Sequence, residues 1–247
     1  MWSERLLSLK LALAILSLLA FGVSCEKRKP NPNNDLSLSY YDSLSIPAYG
    51  ISAGKVKLEL RRMVGNDGDS TLSDFYARKY YDDHKPLIWI SRKGVSSSAD
   101  SLLARLAEVK KIGFNPRQFR VAEISQDLKR ARELRFDVAH PAAKVLARLE
   151  YNLTKALFRF SSGQRFGYTN PSNLLNRLDP VDPHDSSYKA YRQLYALDSP
   201  RANKKFYENA ARHARQGTLI PFLDACEPQS PLYKKLLATL NSDSAKS

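Results

Sequence analysis

The segment at residues 141–160, PAAKVLARLEYNLTKALFRF, constrains the fold more than any other part of the chain. Its apolar residues recur every three or four positions, so they fall on one side of an α-helix. They are Val145, Leu146, Leu149, Leu153, Ala156, Leu157 and Phe160. Pro141 suits the first turn, where its missing N–H has no intrahelical partner to lose. Because an apolar face this wide must be covered, we expect this segment to be the central helix of a core.

Helical patterns also occur on both sides of this segment. Residues 72–82 place Leu72, Phe75, Tyr76 and Tyr80 at helical spacing. Further helical segments are predicted at residues 97–114, 125–134, 186–197, 201–216 and 232–240. Few segments have the alternating pattern of a strand, and we expect one short buried strand around Trp89. Residues 56–64 suit either a helix or a strand. The sequence therefore predicts a mainly α fold, a single irregular helical domain at residues 53–243 with at most one or two short strands.

Local signals place some of the helix ends. Ser97 and Asp100 fit a capping box at the start of the helix that follows Trp89. Gly113, after two lysines, predicts the end of that helix. The stretch SSGQRFGYTNP at residues 161–171 predicts a glycine-containing bend that ends the central helix.

The N-terminus resembles an export signal. Arg5 and Lys10 precede an uncharged apolar stretch at residues 11–23, which is shorter than the roughly 20 residues of a membrane-spanning helix. Gly22-Val23-Ser24-Cys25 resembles the lipobox of bacterial lipoproteins, in which the cysteine thiol is acylated before the preceding bond is cut. We expect a signal peptide at residues 1–24, lipidation at Cys25 and a Pro/Asn-rich flexible tether over residues 25–52. The alternative is an ordinary secretory signal with an incidental cysteine.

The sequence predicts no catalytic, cofactor or metal site. The four histidines, His84, His140, His184 and His213, lie in unrelated contexts without metal-ligand spacing. Asp224 and Glu227 flank Cys226, and negative neighbours disfavour a thiolate, so a small buried residue is the favoured interpretation. Three aspartates, Asp179, Asp182 and Asp185, do not follow the calcium-loop pattern, and we expect a solvated turn there.

The chain is strongly basic, with 39 Lys and Arg against 25 Asp and Glu, a formal charge of +14. Residues 97–135 carry nine basic against five acidic residues, and residues 201–215 carry five against one. These segments would attract anionic envelope material, or they only solvate helix faces. No nucleic-acid reading element is visible, so nucleic acid is not an expected partner.

Four segments occur in a characteristic order: FYARKYYDDHKPLIWI, SLLARLAEVKKIGFNPRQF, LARLEYNLTKALFRFSSGQRF and FLDACEPQSPLYKKLLATL. Together they resemble the N-terminal scaffold domain of the large periplasmic murein L,D-transpeptidases, over roughly residues 75–240. The matching features are the turn at residues 113–119, the helix from Leu153-Thr154 to Gly163, and the closing leucine, proline and tyrosine pattern. That closing pattern comprises Leu219, Leu223, Pro228, Pro231, Tyr233, Leu236 or Leu237, and Leu240.

The resemblance implies a role in peptidoglycan cross-linking. In that family a cysteine in a separate, mainly β domain after the scaffold performs acyl transfer, within an S-x-G-C motif. This sequence contains no S-x-G-C, so no catalytic residue is carried over. We expect a non-catalytic scaffold, or the N-terminal product of an interrupted or shortened gene.

The expected location follows from the signal and the resemblance together. We expect a periplasm-facing envelope lipoprotein, with the outer membrane favoured, held to the membrane by its lipid anchor. Peptidoglycan, anionic envelope components and a cell-wall enzyme are the expected partners. The alternative function is a stand-alone basic module that binds anionic envelope components.

Overall fold

The computed structural model describes residues 51–91, 94–169 and 200–244, and these form a helical array around one long helix. Within these ranges eight α-helices surround or form the core. They are α1 (Ala53–Gly65), α2 (Leu72–Asp82), α3 (Ser97–Ala107), α4 (Val121–Arg132), α5 (Ala142–Phe166), α6 (Lys204–Arg215), α7 (Leu219–Cys226) and α8 (Pro231–Ser244). Two 3₁₀ turns, Val109–Ile112 and Pro116–Phe119, join α3 to α4. The prediction of a mainly α fold is confirmed.

Helix α5 lies at the centre and contacts α1, α2, α3, α4, α6 and α7. All seven apolar residues that predicted this helix are buried. The helix ends within the segment that was predicted to bend, but later than expected: it continues through Gly163 to Phe166 and stops before Gly167, whose φ is +91°. Gly163 is needed inside the helix, since a Cβ there would lie 2.1 Å from a ring carbon of Tyr168.

Helices α1 and α2 pack on α5 from the N-terminal side. The ambiguous segment at residues 56–64 is helical, and it buries Val56, Leu60 and Val64 at four-residue spacing. Helix α2 has the predicted ends, with Thr71 as its N-cap. Its predicted buried face is partly wrong, because Leu72 and Phe75 are exposed while Asp74 is fully buried.

A short antiparallel hairpin follows α2, with strands β1 (Ile90–Ser91) and β2 (Gly94–Val95). Ile90 pairs with Val95, and Ser91 pairs with Gly94. Trp89 is fully buried, as expected, but it precedes the strand instead of lying at its centre.

The ends of α3 and α4 differ from the prediction, because α3 ends at Ala107 and α4 begins at Val121. The N-cap of α3 is Ser96, and it makes no side-chain capping bond, so the capping box of Ser97 and Asp100 is not formed. The Asp100 carboxylate instead pairs with Arg132 at 2.5 Å. Gly113, the predicted end of α3, instead ends the first 3₁₀ turn, in a left-handed conformation with φ of +84°.

The C-terminal part contains one helix that the sequence analysis did not predict, α7, which buries Leu219, Phe222, Leu223 and Cys226. The predicted helix at residues 186–197, the signal peptide and nearly all of the tether lie outside the described residues. None of the helices within the described ranges is both long and apolar enough to cross a membrane.

Candidate functional site

The side chains of α5 that face the N-terminal half of the chain form two polar networks. The first is centred on Glu150, which is fully buried. Its Oε1 accepts hydrogen bonds from the backbone N–H of Ile88 at 2.6 Å and from the Tyr81 hydroxyl at 2.8 Å. Its Oε2 accepts from the backbone N–H groups of Trp89 at 3.0 Å and Ile90 at 3.1 Å. One carboxyl group therefore accepts hydrogen bonds from the backbone N–H groups of three consecutive buried residues.

Thr154, one turn after Glu150, completes this network. Its hydroxyl accepts a hydrogen bond from the Trp89 indole Nε1 at 3.0 Å, lies 2.6 Å from the Tyr81 hydroxyl, and donates to the Glu150 carbonyl at 2.9 Å. Desolvation raises the pKa of Glu150 to about 7, although the hydrogen bonds from Ile88, Tyr81, Trp89 and Ile90 oppose that change. The network fixes the segment before the hairpin on the central helix.

The second network joins the loop before α2 to the next turns of α5. The Lys155 Nζ, almost completely buried, lies 2.7 Å from Asp67 Oδ2 and also contacts Asp69. The Arg159 guanidinium donates to Asp74 at 2.8 Å through both Nε and Nη2, and Nη2 lies 2.8 Å from Asp69. These ion pairs explain why Asp74, and not its apolar neighbours, faces the core.

The carboxylates of this network are held in the charged form. Desolvation acts to raise the pKa of Asp67, but hydrogen bonds from Lys155 and Tyr151 outweigh it and lower the pKa to about 2. The hydrogen bond from Lys155 is the main cause that lowers the pKa of Asp69. At neutral pH, ion pairs therefore hold the loop before α2 against α5.

A cavity of about 680 Å³ lies beside Arg159, between the start of α2, the second 3₁₀ turn, the end of α5 and the start of α6. Hydrogen-bonding side chains line part of it: Thr71, Ser73, Gln118, Arg159, Ser162 and Arg201. Aromatic rings line the rest: Phe114, Phe119, Phe166, Tyr168 and Tyr207. This volume and mixture of surfaces suit an amphipathic ligand with polar groups and ring faces.

The aromatic wall is held in place by packing. The Tyr168 ring lies 4.1 Å from the Phe114 ring, measured between centroids, and it covers the helix at Gly163. Arg201, an exposed residue, also lines the cavity. The cavity thus presents an aromatic face and a guanidinium group to the same space.

The histidines have local roles where the structure describes them. His140 Nδ1 contacts Asp137 at 3.1 Å, and His213 Nδ1 contacts the Thr218 hydroxyl at 2.8 Å while its ring stacks on Phe222. His84 adopts φ of +55° after the end of α2. Within residues 51–91, 94–169 and 200–244, no group of three or more His, Cys, Asp and Glu side chains is placed to hold a metal ion.

Cys226 is buried in α7, as the sequence analysis favoured, and desolvation raises the pKa of its thiol to about 11. Cys25, the predicted lipidation site, lies outside the described residues. So do His184 and the three aspartates Asp179, Asp182 and Asp185.

Many cations of the basic segments have carboxylate partners. Of the nine in residues 97–135, six pair with Asp or Glu: Arg105, Lys111, Arg120, Arg130, Arg132 and Arg135. In residues 201–215, Lys204 pairs with Asp83 at 3.0 Å. The cationic surface is therefore smaller than the residue count indicated.

The sequence analysis predicted neither polar network nor the cavity. A signal was present, because four polar residues, Glu150, Thr154, Lys155 and Arg159, interrupt the helix that was predicted to be central, and they form two pairs one turn apart. Polar residues on the covered side of a buried helix need partners.

Comparison with known proteins identifies a family. No curated protein and no solved structure matches the chain. The family model described as "Scaffold domain" matches residues 70–240, which is more than half of the 247-residue chain and agrees with the resemblance to the L,D-transpeptidase scaffold. The chain therefore belongs to the Scaffold domain family.

Proposed function

We propose that this chain is a non-catalytic scaffold of the bacterial cell envelope that binds peptidoglycan in the cavity beside Arg159. Family membership supports a scaffold role, and the export signal and lipobox support a lipoprotein anchored through Cys25. In this proposal the protein faces the periplasm, with the outer membrane as the favoured location, and positions cell-wall strands for a separate cross-linking enzyme.

The observation that carries the proposal is the pairing of an aromatic wall with a guanidinium in one cavity. Peptidoglycan contains sugar rings, whose C–H faces pack on aromatic side chains, and stem peptides that carry carboxylates. Tyr168 and Phe114 offer the ring faces, while Arg201 offers the charge-assisted hydrogen bonds that a carboxylate accepts. Gln118 and Thr71 add neutral polar groups for hydroxyl and amide recognition.

The second candidate is a basic module that binds anionic envelope components without specific recognition. The formal charge of +14 favours it. The ion pairs of residues 97–135 weigh against it, because paired cations contribute less to long-range attraction.

Cosedimentation with purified peptidoglycan sacculi across a salt series separates the two candidates. Specific recognition predicts binding that persists at high salt and weakens at least about fivefold in Arg201→Ala, because a charge-assisted hydrogen bond is lost. The matched control is Arg62→Ala, which removes an exposed arginine of α1 that pairs only locally with Glu59. Binding that disappears as salt rises, equally for both variants, supports the basic module. No binding at any salt contradicts both candidates.

The anchor has its own test. Mass spectrometry of the mature N-terminus should find a diacylglycerol-modified Cys25 as the first residue. An unmodified Cys25, or cleavage at another bond, would remove the lipoprotein part of the proposal.

The buried Cys226 supports the non-catalytic part of the proposal. A nucleophilic cysteine needs a thiolate in contact with substrate, and burial that raises the pKa to about 11 keeps this thiol protonated at neutral pH.

A further inference from the structure

Two exposed apolar side chains lie at the start of α2, beside the cavity. Leu72 lines the cavity and is 44% exposed, and Phe75 is 49% exposed. Residues three apart on a helix are neighbours, and helical side chains lean toward the N-terminus of the helix. The Phe75 ring therefore lies over the first turn of α2, whose residues Thr71, Leu72 and Ser73 line the cavity.

Ring contacts connect Phe75 to the interior of the cavity. The Phe75 ring packs edge to face against Tyr76, with 5.2 Å between the ring centroids, and Tyr76 stacks on Tyr207 at 4.8 Å. Tyr207 is buried and lines the cavity. The three rings therefore form a continuous aromatic path from the cavity to the surface of α2, where about half of Phe75 is exposed.

The charged side chains next to Phe75 on α2 are already paired. Arg78 lies 3.5 Å from Asp67, and Lys79 lies 3.4 Å from Asp83. Because paired charges exert little attraction at a distance, this surface suits a neutral group better than an anion. The proposed carboxylate contact lies inside the cavity, so the part of the ligand that reaches Phe75 is uncharged.

We propose that Phe75 is an outer subsite for one sugar of a peptidoglycan glycan strand whose neighbouring sugars occupy the cavity. This inference rests on the proposed function, and it specifies the ligand as a polymer longer than a single disaccharide-peptide. The sugar rings of such a strand are uncharged, and their C–H faces pack on aromatic rings. Phe75 lies about 4.5 Å from Leu72 along the axis of α2, which is close to the length of one sugar unit.

A second copy of the chain is a poorer occupant of this surface. A stable protein interface buries roughly 800 Å² on each partner. Leu72 and Phe75, each about half exposed, provide only a small part of that area. Their arrangement instead presents one ring beside a cavity, which suits one sugar unit.

Calorimetric titration with strands of two lengths tests the inference. The protein is the chain from residue 25 onward with Cys25→Ser. The ligands are the uncross-linked disaccharide-peptide and tetrasaccharide-peptide that a muramidase releases from sacculi. The protein should bind the tetrasaccharide-peptide at least about fivefold more tightly per disaccharide unit, because only the longer ligand reaches Phe75.

Substitutions at Phe75 should change this preference for the longer strand and nothing else. Phe75→Ala should reduce the preference to less than about twofold and leave the affinity for the disaccharide-peptide unchanged. Phe75→Trp should keep the preference because it keeps a ring face, whereas Phe75→Leu should lose most of it because it keeps only apolar area. Leu58→Ala, at a leucine of α1 that is 49% exposed, is the control and should alter neither affinity.

The possible outcomes distinguish this inference from the proposed function. Equal affinity for the two lengths, or a preference that Phe75→Ala or Phe75→Leu retains, overturns the outer subsite, while the cavity site remains supported if Arg201→Ala still weakens binding. No binding of either ligand overturns both. A dimer that Phe75→Ala dissociates in light scattering would overturn the inference by assigning this surface to a second copy of the chain. Circular dichroism melts of each variant establish that the fold is retained.

Discussion

The Oε1 atom of Glu150 lies 2.6 Å from the backbone nitrogen of Ile88, although 62 residues separate the two along the chain. This contact and its neighbours attach the segment before the hairpin to the central helix α5. The attachment uses a carboxylate where a neighbouring strand would normally accept the backbone hydrogen bonds. The stability of the domain should therefore depend strongly on one buried side chain.

Glu150→Ala should lower the free energy of unfolding by about 3 kcal/mol or more, because it leaves the three buried backbone N–H groups of Ile88, Trp89 and Ile90 without their acceptor. Urea denaturation monitored by circular dichroism measures the change. Glu123→Ala, at an exposed position of α4, is the control and should change stability by less than about 0.5 kcal/mol. Equal effects of the two substitutions would contradict the role of Glu150.

The same residue predicts a dependence of stability on pH. In the unfolded chain Glu150 has its ordinary pKa of 4.5, and burial raises the folded-state pKa to about 7. The folded state therefore binds the proton more tightly, so this contribution is full below pH 4.5 and is lost as pH rises through about 7.

Between about pH 5 and pH 8 the free energy of unfolding should fall by about 2 kcal/mol from this residue alone. Denaturation of the wild-type chain and of Glu150→Gln at both pH values isolates the contribution, because the amide does not titrate. Parallel pH profiles would mean that Glu150 remains ionised in the folded protein.

Lys155 holds the second network, and its removal should leave carboxylates without their cation. Lys155→Met should lower the free energy of unfolding by about 3 kcal/mol, since it breaks a buried ion pair while keeping a side chain of similar length. In the Lys155→Met variant, a second substitution, Asp67→Asn, should restore part of the lost free energy of unfolding, because it removes the carboxylate charge that has lost its cation. Lys55→Met, at an exposed position of α1, is the control and should be nearly neutral. A double variant no more stable than Lys155→Met would argue against the pairing.

Gly163→Ala tests the packing of the cavity wall. The new Cβ would lie 2.1 Å from the Tyr168 ring, so the ring must move, and we expect a loss of about 2 kcal/mol in thermal or urea denaturation. Gly65→Ala, where a Cβ meets nothing within 4 Å, should be neutral or slightly stabilising. In a Tyr168→Ala background the cost of Gly163→Ala should largely disappear. If Gly163→Ala still destabilised the Tyr168→Ala variant by a similar amount, a clash with Tyr168 would not be the cause.

Cys226 should be chemically inert in the folded chain. With Cys25→Ser to remove the other thiol, the native protein should react with Ellman's reagent far more slowly at pH 8 than the urea-unfolded protein, because the thiol is buried and its pKa is about 11. Equal rates in the two states would show that the thiol is accessible.

The central helix was predictable because its apolar spacing and its packing agree: each of the seven apolar residues that defined it is buried. The face of α2 was not predictable in this way. Leu72 and Phe75 give the stronger local pattern, but the ion pair of Asp74 with Arg159 turns the carboxylate inward. A partner 85 residues away is invisible to a local pattern.

Other errors have a similar origin. The end of α5 was predicted too early because Gly163 is usually a helix breaker, yet here it makes room for Tyr168. Helix α7 was missed because it has only eight residues and contains Pro221 in its first turns. The cavity depends on four elements that are distant in sequence, so no single segment could reveal it.

The hydrogen bonds of Glu150 also affect how this domain meets other chains. The run Leu87-Ile88-Trp89-Ile90 is apolar and of high β-propensity, the kind of segment whose free backbone donors template intermolecular sheets. Here the donors of Ile88, Trp89 and Ile90 already point at a carboxylate. While α5 stays folded beside this segment, Glu150 therefore occupies the backbone donors that would otherwise be available to a strand of another chain.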